Sequence, residues 1–166
     1  MTAASPFAPP ALLARSRPPS REELAGIPWF ALLRGEDRSR ALADLRVVEV
    51  EPGELICRVG RPVTFWFGLV DGLLKMSNDT AMGVPMTFTG IPPGGWFGEG
   101  TVLKHEPYRY NIQALRRSLV AGITVQTFDA LLASSIAFNR FVMDQPNERL
   151  AQFIGLRELD SLRPAA

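Results

Sequence analysis

Two glycines, a glutamate and an arginine form the group of residues in this sequence that is best suited to chemistry. Gly98, Glu99 and Gly100 are consecutive, and Arg109 follows Glu99 by ten residues. Glycine lets an anion approach the backbone N–H groups closely, and a guanidinium grips a phosphate through two parallel hydrogen bonds. An ionised glutamate only accepts hydrogen bonds, so it suits a ribose hydroxyl. These residue types suit a binding site for a phosphate-containing ligand or another small anion.

The same residues also have a purely structural interpretation. Glu99 and Arg109 can form a surface ion pair, which contributes about 0 to 1 kcal/mol to stability. In this interpretation Gly98 and Gly100 are ordinary turn residues that take no part in binding. Both interpretations stay open at the level of sequence.

Catalysis is not expected, because His105 and Cys57 are the only histidine and the only cysteine. One thiol cannot form an intramolecular disulfide or assemble a metal cluster, and no nucleophile and base are paired in the sequence. We expect no metal cofactor. His105 is predicted to be solvated in a loop, and Cys57 is predicted to be a small buried residue of a strand.

Composition indicates one globular domain. The chain has 166 residues, 46% of them hydrophobic, and a net charge of +1, so no basic field exists along which nucleic acid would bind. Charges and prolines interrupt every apolar run well before the roughly twenty residues that cross a bilayer. We therefore expect a cytoplasmic protein without a membrane span. Residues 1–20 are rich in proline, and we predict that they form a disordered tail.

Short apolar strands punctuated by turn residues dominate the middle of the chain, from about Val47 to Val125. Asp71-Gly72 is a hairpin signal, and the run from Pro92 to Gly95 is a rigid corner that a helix cannot cross. Many short strands with no helices between them predict an antiparallel barrel or sandwich. The aromatic run Phe65, Trp66 and Phe67 is interpreted as strand core, with base stacking as the alternative.

Helices flank this β region on both sides. Ser20 predicts the cap of a short helix that ends at Gly26, and two further short pieces are separated at Gly35. After a short helix near Phe128, a long helix is predicted over residues 135–162, with a kink at Pro146. Its apolar stripe suits a two-fold homodimer, although packing on its own barrel is the alternative. The stripe consists of Phe138, Phe141, Val142, Leu150, Phe153 and Ile154.

In its order of elements the chain resembles the sensor domain of the Crp/Fnr superfamily of bacterial transcription regulators. The resemblance covers about Leu24 to Leu162. Its most specific part is Gly95-Trp96-Phe97-Gly98-Glu99-Gly100-Thr101-Val102-Leu103, followed by Pro107-Tyr108-Arg109. It implies a mainly β fold with flanking helices, namely a jelly-roll barrel domain over residues 21–134 and a dimerisation helix over residues 135–162.

The resemblance also implies a ligand site. Its residues would be Gly98, Glu99, Gly100, Arg109 and Tyr110, and its ligand would be a cyclic nucleotide such as cAMP or cGMP, or another small anion. Tyr110 and Asn111 stand where the family typically has small residues close to the phosphate, so the identity of the effector stays open.

As a function, the resemblance implies the effector-sensing and dimerising domain of a transcription regulator. The family's helix-turn-helix domain would follow the long helix, and no recognition-helix pattern occurs before Ala166. Contact with DNA is therefore expected only through a missing domain. Two alternatives are a stand-alone nucleotide-binding module that regulates a partner protein and a degenerate barrel that serves only dimerisation.

Overall fold

Two antiparallel sheets of four strands each form the centre of the protein, in a computed structural model that describes residues 10–79 and 85–145. The strands are β1 (Arg46–Val50), β2 (Leu55–Cys57), β3 (Phe65–Asp71), β4 (Leu74–Asp79), β5 (Pro85–Ile91), β6 (Trp96–Phe97), β7 (Asn111–Ala114) and β8 (Ser118–Thr124). The first sheet has the order β1-β8-β3-β6, and the second has the order β2-β7-β4-β5. This is the strand order of a double-sheet jelly roll. The predicted antiparallel β architecture with flanking helices is confirmed.

The helices lie before, within and after this barrel. They are α1 (Pro10–Arg15), α2 (Arg21–Ala25), a 3-10 helix (Phe30–Leu32), α3 (Gly35–Asp44), α4 (Glu99–Lys104) and α5 (Val125–Ser134). Residues 136–145 form a further helix, α6. None of the helices in the described part of the chain is long and apolar enough to cross a membrane.

Local sequence signals explain how several helices begin and end. The Ser20 hydroxyl accepts a hydrogen bond from the N–H of Glu23 at 3.2 Å, and the Glu23 carboxylate accepts one from the N–H of Ser20 at 2.7 Å, so α2 starts at a capping box. Helix α1 lies inside the segment whose composition predicts disorder. Residues 146–162 of the predicted long helix, and the kink at Pro146, lie outside the described residues.

The first sheet is buried on both faces, which explains why its strands are almost continuously apolar. Val47 and Trp66 pack against the helices, and neither is exposed to solvent. Val48 and Leu69 belong to a second cluster inside the barrel. The chain therefore has two cores, separated by one sheet.

The core on the helical side is built around three tryptophans. Trp29, Trp66 and Trp96 are at most 1% exposed, and the ring centroids of Trp66 and Trp96 are 4.6 Å apart. Phe138 of α6 places its ring edge-on to Trp29 and to Trp66, at 5.5 and 5.6 Å. The predicted core position of the run Phe65, Trp66 and Phe67 is confirmed for Trp66, whereas Phe65 and Phe67 are half-buried. Since such aromatic contacts add to burial, this layer fixes α6 to the barrel.

Strand β6 depends on a glycine in the neighbouring strand. Gly68 pairs with Trp96, and a Cβ at position 68 would lie 2.2 Å from the indole ring of Trp96. Any side chain at this position would therefore force Trp96 out of its place. Because β6 is only two residues long, no periodicity in the sequence indicates it, yet it leads directly into the turn at Gly98.

Candidate functional site

The turn at Gly98 joins β6 to α4. Gly98 has a φ of 86°, in the left-handed region that favours glycine, and its carbonyl accepts a hydrogen bond from the N–H of Val102 at 3.0 Å. The turn sits at the edge of the first sheet because Phe97 is paired with Phe67. A residue with a side chain at position 98 would be strained here, so the sharp entry into α4 requires the glycine.

The next two residues face in different directions. Glu99 is 2% exposed, whereas Gly100 is exposed, and a Cβ added at Gly100 would have no atom within 4 Å. Burial of a carboxylate is costly unless hydrogen-bond donors surround it. Glu99 is therefore the inward-facing member of the predicted group, and Gly100 borders the solvent.

Arg109 lies at the surface of the protein. Its side chain is 72% exposed, and its Nη2 is 2.9 Å from Oε2 of Glu106. Because the two residues are three positions apart, this is a local ion pair at the surface. In this conformation the guanidinium is directed toward Glu106 and is not part of the buried group that contains Glu99.

Tyr110 reaches the Gly98 turn instead. A Cβ built on Gly98 would lie 2.8 Å from the hydroxyl oxygen of Tyr110, and that oxygen is 3.3 Å from Oγ1 of Thr101. The phenol thus covers the backbone that the glycine leaves open. The structure brings together Gly98, Glu99 and Tyr110 around the first turn of α4, with the Arg109 side chain outside.

Tyr108 and Cys57 extend this polar group into the barrel. The Tyr108 hydroxyl donates a hydrogen bond to the carbonyl of Phe65 at 3.2 Å, and the Tyr108 ring centroid is 6.1 Å from that of Tyr110. Burial raises the pKa of the Cys57 thiol to about 12 and also raises the pKa of the Tyr108 phenol. Both groups are neutral at physiological pH. The predicted burial of Cys57 is confirmed.

Thr101 and Tyr108 were not expected from the sequence as parts of this group. For Tyr108 the sequence signal is the alternation Tyr108-Arg109-Tyr110, in which an aromatic residue stands on each side of a charged one. The structure places both tyrosines at the Gly98 turn, since a Cβ on Gly98 would lie 3.9 Å from Cε1 of Tyr108 and 2.8 Å from the Tyr110 hydroxyl, whereas Arg109 is exposed. The sequence carries no comparable signal for Thr101.

His105 ends α4 in the left-handed conformation, with φ of 54°, and it is exposed. Within residues 10–79 and 85–145, no three side chains of the types His, Cys, Asp and Glu are grouped so that they could hold a metal ion.

Comparison with known families and folds gives one family match. The profile of the cyclic nucleotide-binding domain matches residues 47–135, which is more than half of the chain. The sensor domain of the transcriptional regulator DNR from Pseudomonas aeruginosa has a similar fold, with a TM-score of 0.66 and 18% identity over 88% of this chain and 95% of that chain.

The chain is also similar to two proteins that are named as acyl-transferring enzymes. Acetyltransferase Pat from Mycolicibacterium smegmatis is 27% identical over 132 residues, which cover 80% of this chain and 39% of that protein. A mutant of the cAMP-binding acyltransferase from Mycobacterium smegmatis has a TM-score of 0.61 and 25% identity, over 71% of this chain and 37% of that chain. The present chain thus spans about two fifths of the length of the curated relative that it matches.

Proposed function

The chain belongs to the cyclic nucleotide-binding domain family, and we propose that it is the effector-sensing and dimerising domain of a Crp/Fnr-type transcription regulator. The effector would be a small anion, with cAMP and cGMP as the first candidates. One observation carries the proposal: the Tyr110 hydroxyl lies 2.8 Å from the position of a Cβ on Gly98, so the two halves of the sequence motif meet at the first turn of α4.

In this proposal each residue of the site has a separate role. The backbone N–H groups of Gly98 and Gly100 and the guanidinium of Arg109 would hold the anionic group of the ligand. Glu99, which is buried beside the turn, would accept a hydrogen bond from a ribose hydroxyl. Tyr110 borders the site and controls access to the turn.

In the described conformation, neither Tyr110 nor Arg109 is placed to hold an anion at the Gly98 turn. The Tyr110 phenol lies over Gly98, and Arg109 pairs with Glu106 at the surface. Binding of an anion would require the phenol to move away and the guanidinium to turn inward. An exposed ion pair contributes only about 0 to 1 kcal/mol, so breaking the Arg109–Glu106 pair costs little.

Dimerisation is supported by the outer face of α6. The described members of the predicted dimer stripe, Phe138, Phe141 and Val142, pack on the core of their own chain, which is the alternative stated for this stripe. Two other residues of α6, Ile136 and Met143, are 74% and 67% exposed. The two exposed residues are seven positions apart, which is the heptad spacing of a helix that packs against a partner helix. A two-fold axis along this face would bury both.

A second candidate output is control of an attached or partner acyltransferase. The observation that favours it is the 27% identity to acetyltransferase Pat over 132 residues. The coding sequence downstream of this chain distinguishes the two outputs, because a helix-turn-helix and an acetyl-CoA-binding domain have different sequence patterns.

Titration calorimetry with cAMP, cGMP and inorganic phosphate tests the ligand. If Arg109 holds the anionic group, Arg109→Gln should weaken binding of the nucleotide by about 2 to 5 kcal/mol. Arg117→Gln is the matched control, because Arg117 pairs with Glu49 on the outside of the barrel. Equal affinity in Arg109→Gln and the wild type would exclude Arg109 from the site. Absence of binding by every probe would favour a barrel that serves only dimerisation.

A further inference from the structure

A cavity with mostly apolar walls lies beneath α1, on the inner side of the first sheet. It is lined by residues of α1, β1, β3 and β8, which include Leu12, Leu13, Arg46, Val48, Phe65, Phe67 and Val120. Leu12 is 6% exposed and packs in the same cluster as Val48 and Val120. The side chain of Leu12 therefore fills part of this cavity, which is called the groove below.

Helix α1 is held over the groove by few contacts. It has six residues, and helices this short are not stable alone. Leu13 is 47% exposed. Near the surface, the Arg15 guanidinium donates two hydrogen bonds to the Glu54 carboxylate, at 3.1 and 2.7 Å, and one to the carbonyl of Glu49 at 3.4 Å. A pair with two hydrogen bonds holds α1 more firmly than an ordinary surface ion pair, but less firmly than burial of a leucine side chain. Leu12 is therefore the main anchor, and local opening of α1 costs little free energy.

The chain immediately after α1 is fixed more firmly. Arg17 exchanges two backbone hydrogen bonds with Val47, at 2.9 and 2.8 Å, and its guanidinium binds the carboxylate of Glu23 through two bonds of 2.7 Å. If α1 opens, the movement is therefore confined to the residues before Arg17, with Ser16 as the hinge.

Arg46 is the charged residue at the rim of this groove, and its hydrogen-bond partners are neutral. Its Nη2 donates to the carbonyl of Ser16 at 2.6 Å, and its Nε donates to the Ser16 hydroxyl at 3.1 Å. Arg46 takes part in none of the ion pairs within the described residues. Both acceptors sit at the hinge, so opening of α1 would free the guanidinium at the moment when the groove is exposed.

We propose that this groove binds an aliphatic carboxylate and that α1 is its built-in competitor. The aliphatic chain would replace Leu12 between Val48, Phe67 and Val120, and the carboxylate would take the hydrogen bonds that Arg46 now gives to Ser16. This proposal concerns a surface other than the Gly98 turn, and it does not depend on the ligand proposed there.

Calorimetry of the full chain with octanoate, octan-1-ol and acetate tests the ligand class. Octanoate should bind more tightly than either of the other two, since only octanoate has both the chain and the charge. Arg46→Gln should weaken octanoate binding at least about tenfold, as expected for the loss of a charge-assisted hydrogen bond. Arg117→Gln, with the same change of charge outside the groove, should bind like the wild type.

Competition between octanoate and α1 predicts a second effect: weakening the hold on α1 should raise the affinity for octanoate, whereas Arg46→Gln should lower it. Glu54→Gln removes the Arg15 ion pair without altering the lining of the groove, so it should tighten octanoate binding. Octanoate should also accelerate tryptic cleavage of the Arg15–Ser16 bond, because α1 is then released. The proposal is overturned if octanoate fails to bind, if octan-1-ol binds equally well, or if octanoate leaves the rate of this cleavage unchanged.

Discussion

At the scale of single residues, Arg109 and Tyr110 are neighbours with opposite surroundings. Arg109 is directed into solvent and Tyr110 toward the Gly98 turn, so the side chain nearest to that turn is a phenol. A ligand that needs this space competes with Tyr110. Its apparent affinity is the intrinsic affinity multiplied by the fraction of molecules in which the turn is open.

Tyr110→Ser is therefore expected to tighten binding of cAMP or cGMP by about tenfold, because it removes the competing ring. The measurement is calorimetry with each nucleotide, and Tyr110→Phe serves as the control that keeps the ring. If Tyr110→Ser instead weakens binding as Arg109→Gln is expected to do, Tyr110 is a direct ligand contact.

At the scale of elements, one carboxylate connects α3 to the start of α5. Oδ2 of Asp44 accepts hydrogen bonds from the backbone N–H of Thr124 at 2.7 Å and from its hydroxyl at 2.9 Å. The Thr124 hydroxyl in turn accepts one from the N–H of Thr127 at 3.3 Å, so it also caps α5. The end of α3 is thereby held against the junction of β8 and α5.

Asp44→Ala should lower the free energy of unfolding by about 1 to 3 kcal/mol, since it leaves the half-buried N–H of Thr124 without its acceptor. Glu36→Ala, an exposed acidic residue of the same helix, should change it by no more than about 0.5 kcal/mol. Urea denaturation followed by circular dichroism measures both. Equal stability of the two variants would show that the Asp44 contacts contribute nothing to stability.

At the scale of the whole molecule, the tryptophan layer couples the barrel to α6. Phe138 contacts Trp29 and Trp66, and Trp66 contacts Trp96, which precedes Gly98 by two residues. Trp96 and Phe97 connect this layer to the first turn of α4. A conformational change at the Gly98 turn can therefore be transmitted through packed side chains to α6, the helix that exposes Ile136 and Met143.

Replacing both Ile136 and Met143 with glutamate should convert the proposed dimer into a monomer, because like charges would face each other across the two-fold axis. Light scattering at high micromolar concentration measures the mass. Leu42→Glu, at an exposed hydrophobic residue of α3, should leave the proposed dimer intact. A monomeric wild type at that concentration would argue against dimerisation through this face.

The order of amino acids by itself determined the local structure of this protein. The cap at Ser20 and the turn at Gly98 follow from backbone preferences of single residues, and the strands follow from short apolar runs. The predicted hairpin at Asp71-Gly72 is wrong, because β3 and β4 lie in different sheets. Gly72, with φ of 112°, instead makes the turn at which the chain crosses from one sheet to the other. These signals act over a few residues, so they are visible in sequence. The family resemblance also rests on such local signals, chiefly the segment from Gly95 to Leu103.

Only the tertiary structure decided which side chains share a space. Strand β6 exists because Gly68 leaves room for Trp96, and α1 is ordered because Leu12 enters the barrel core. Likewise, Tyr110 rather than Arg109 meets Gly98 in this conformation. Each of these outcomes depends on packing between segments that are separate in the chain, and periodicity carries no information about such contacts.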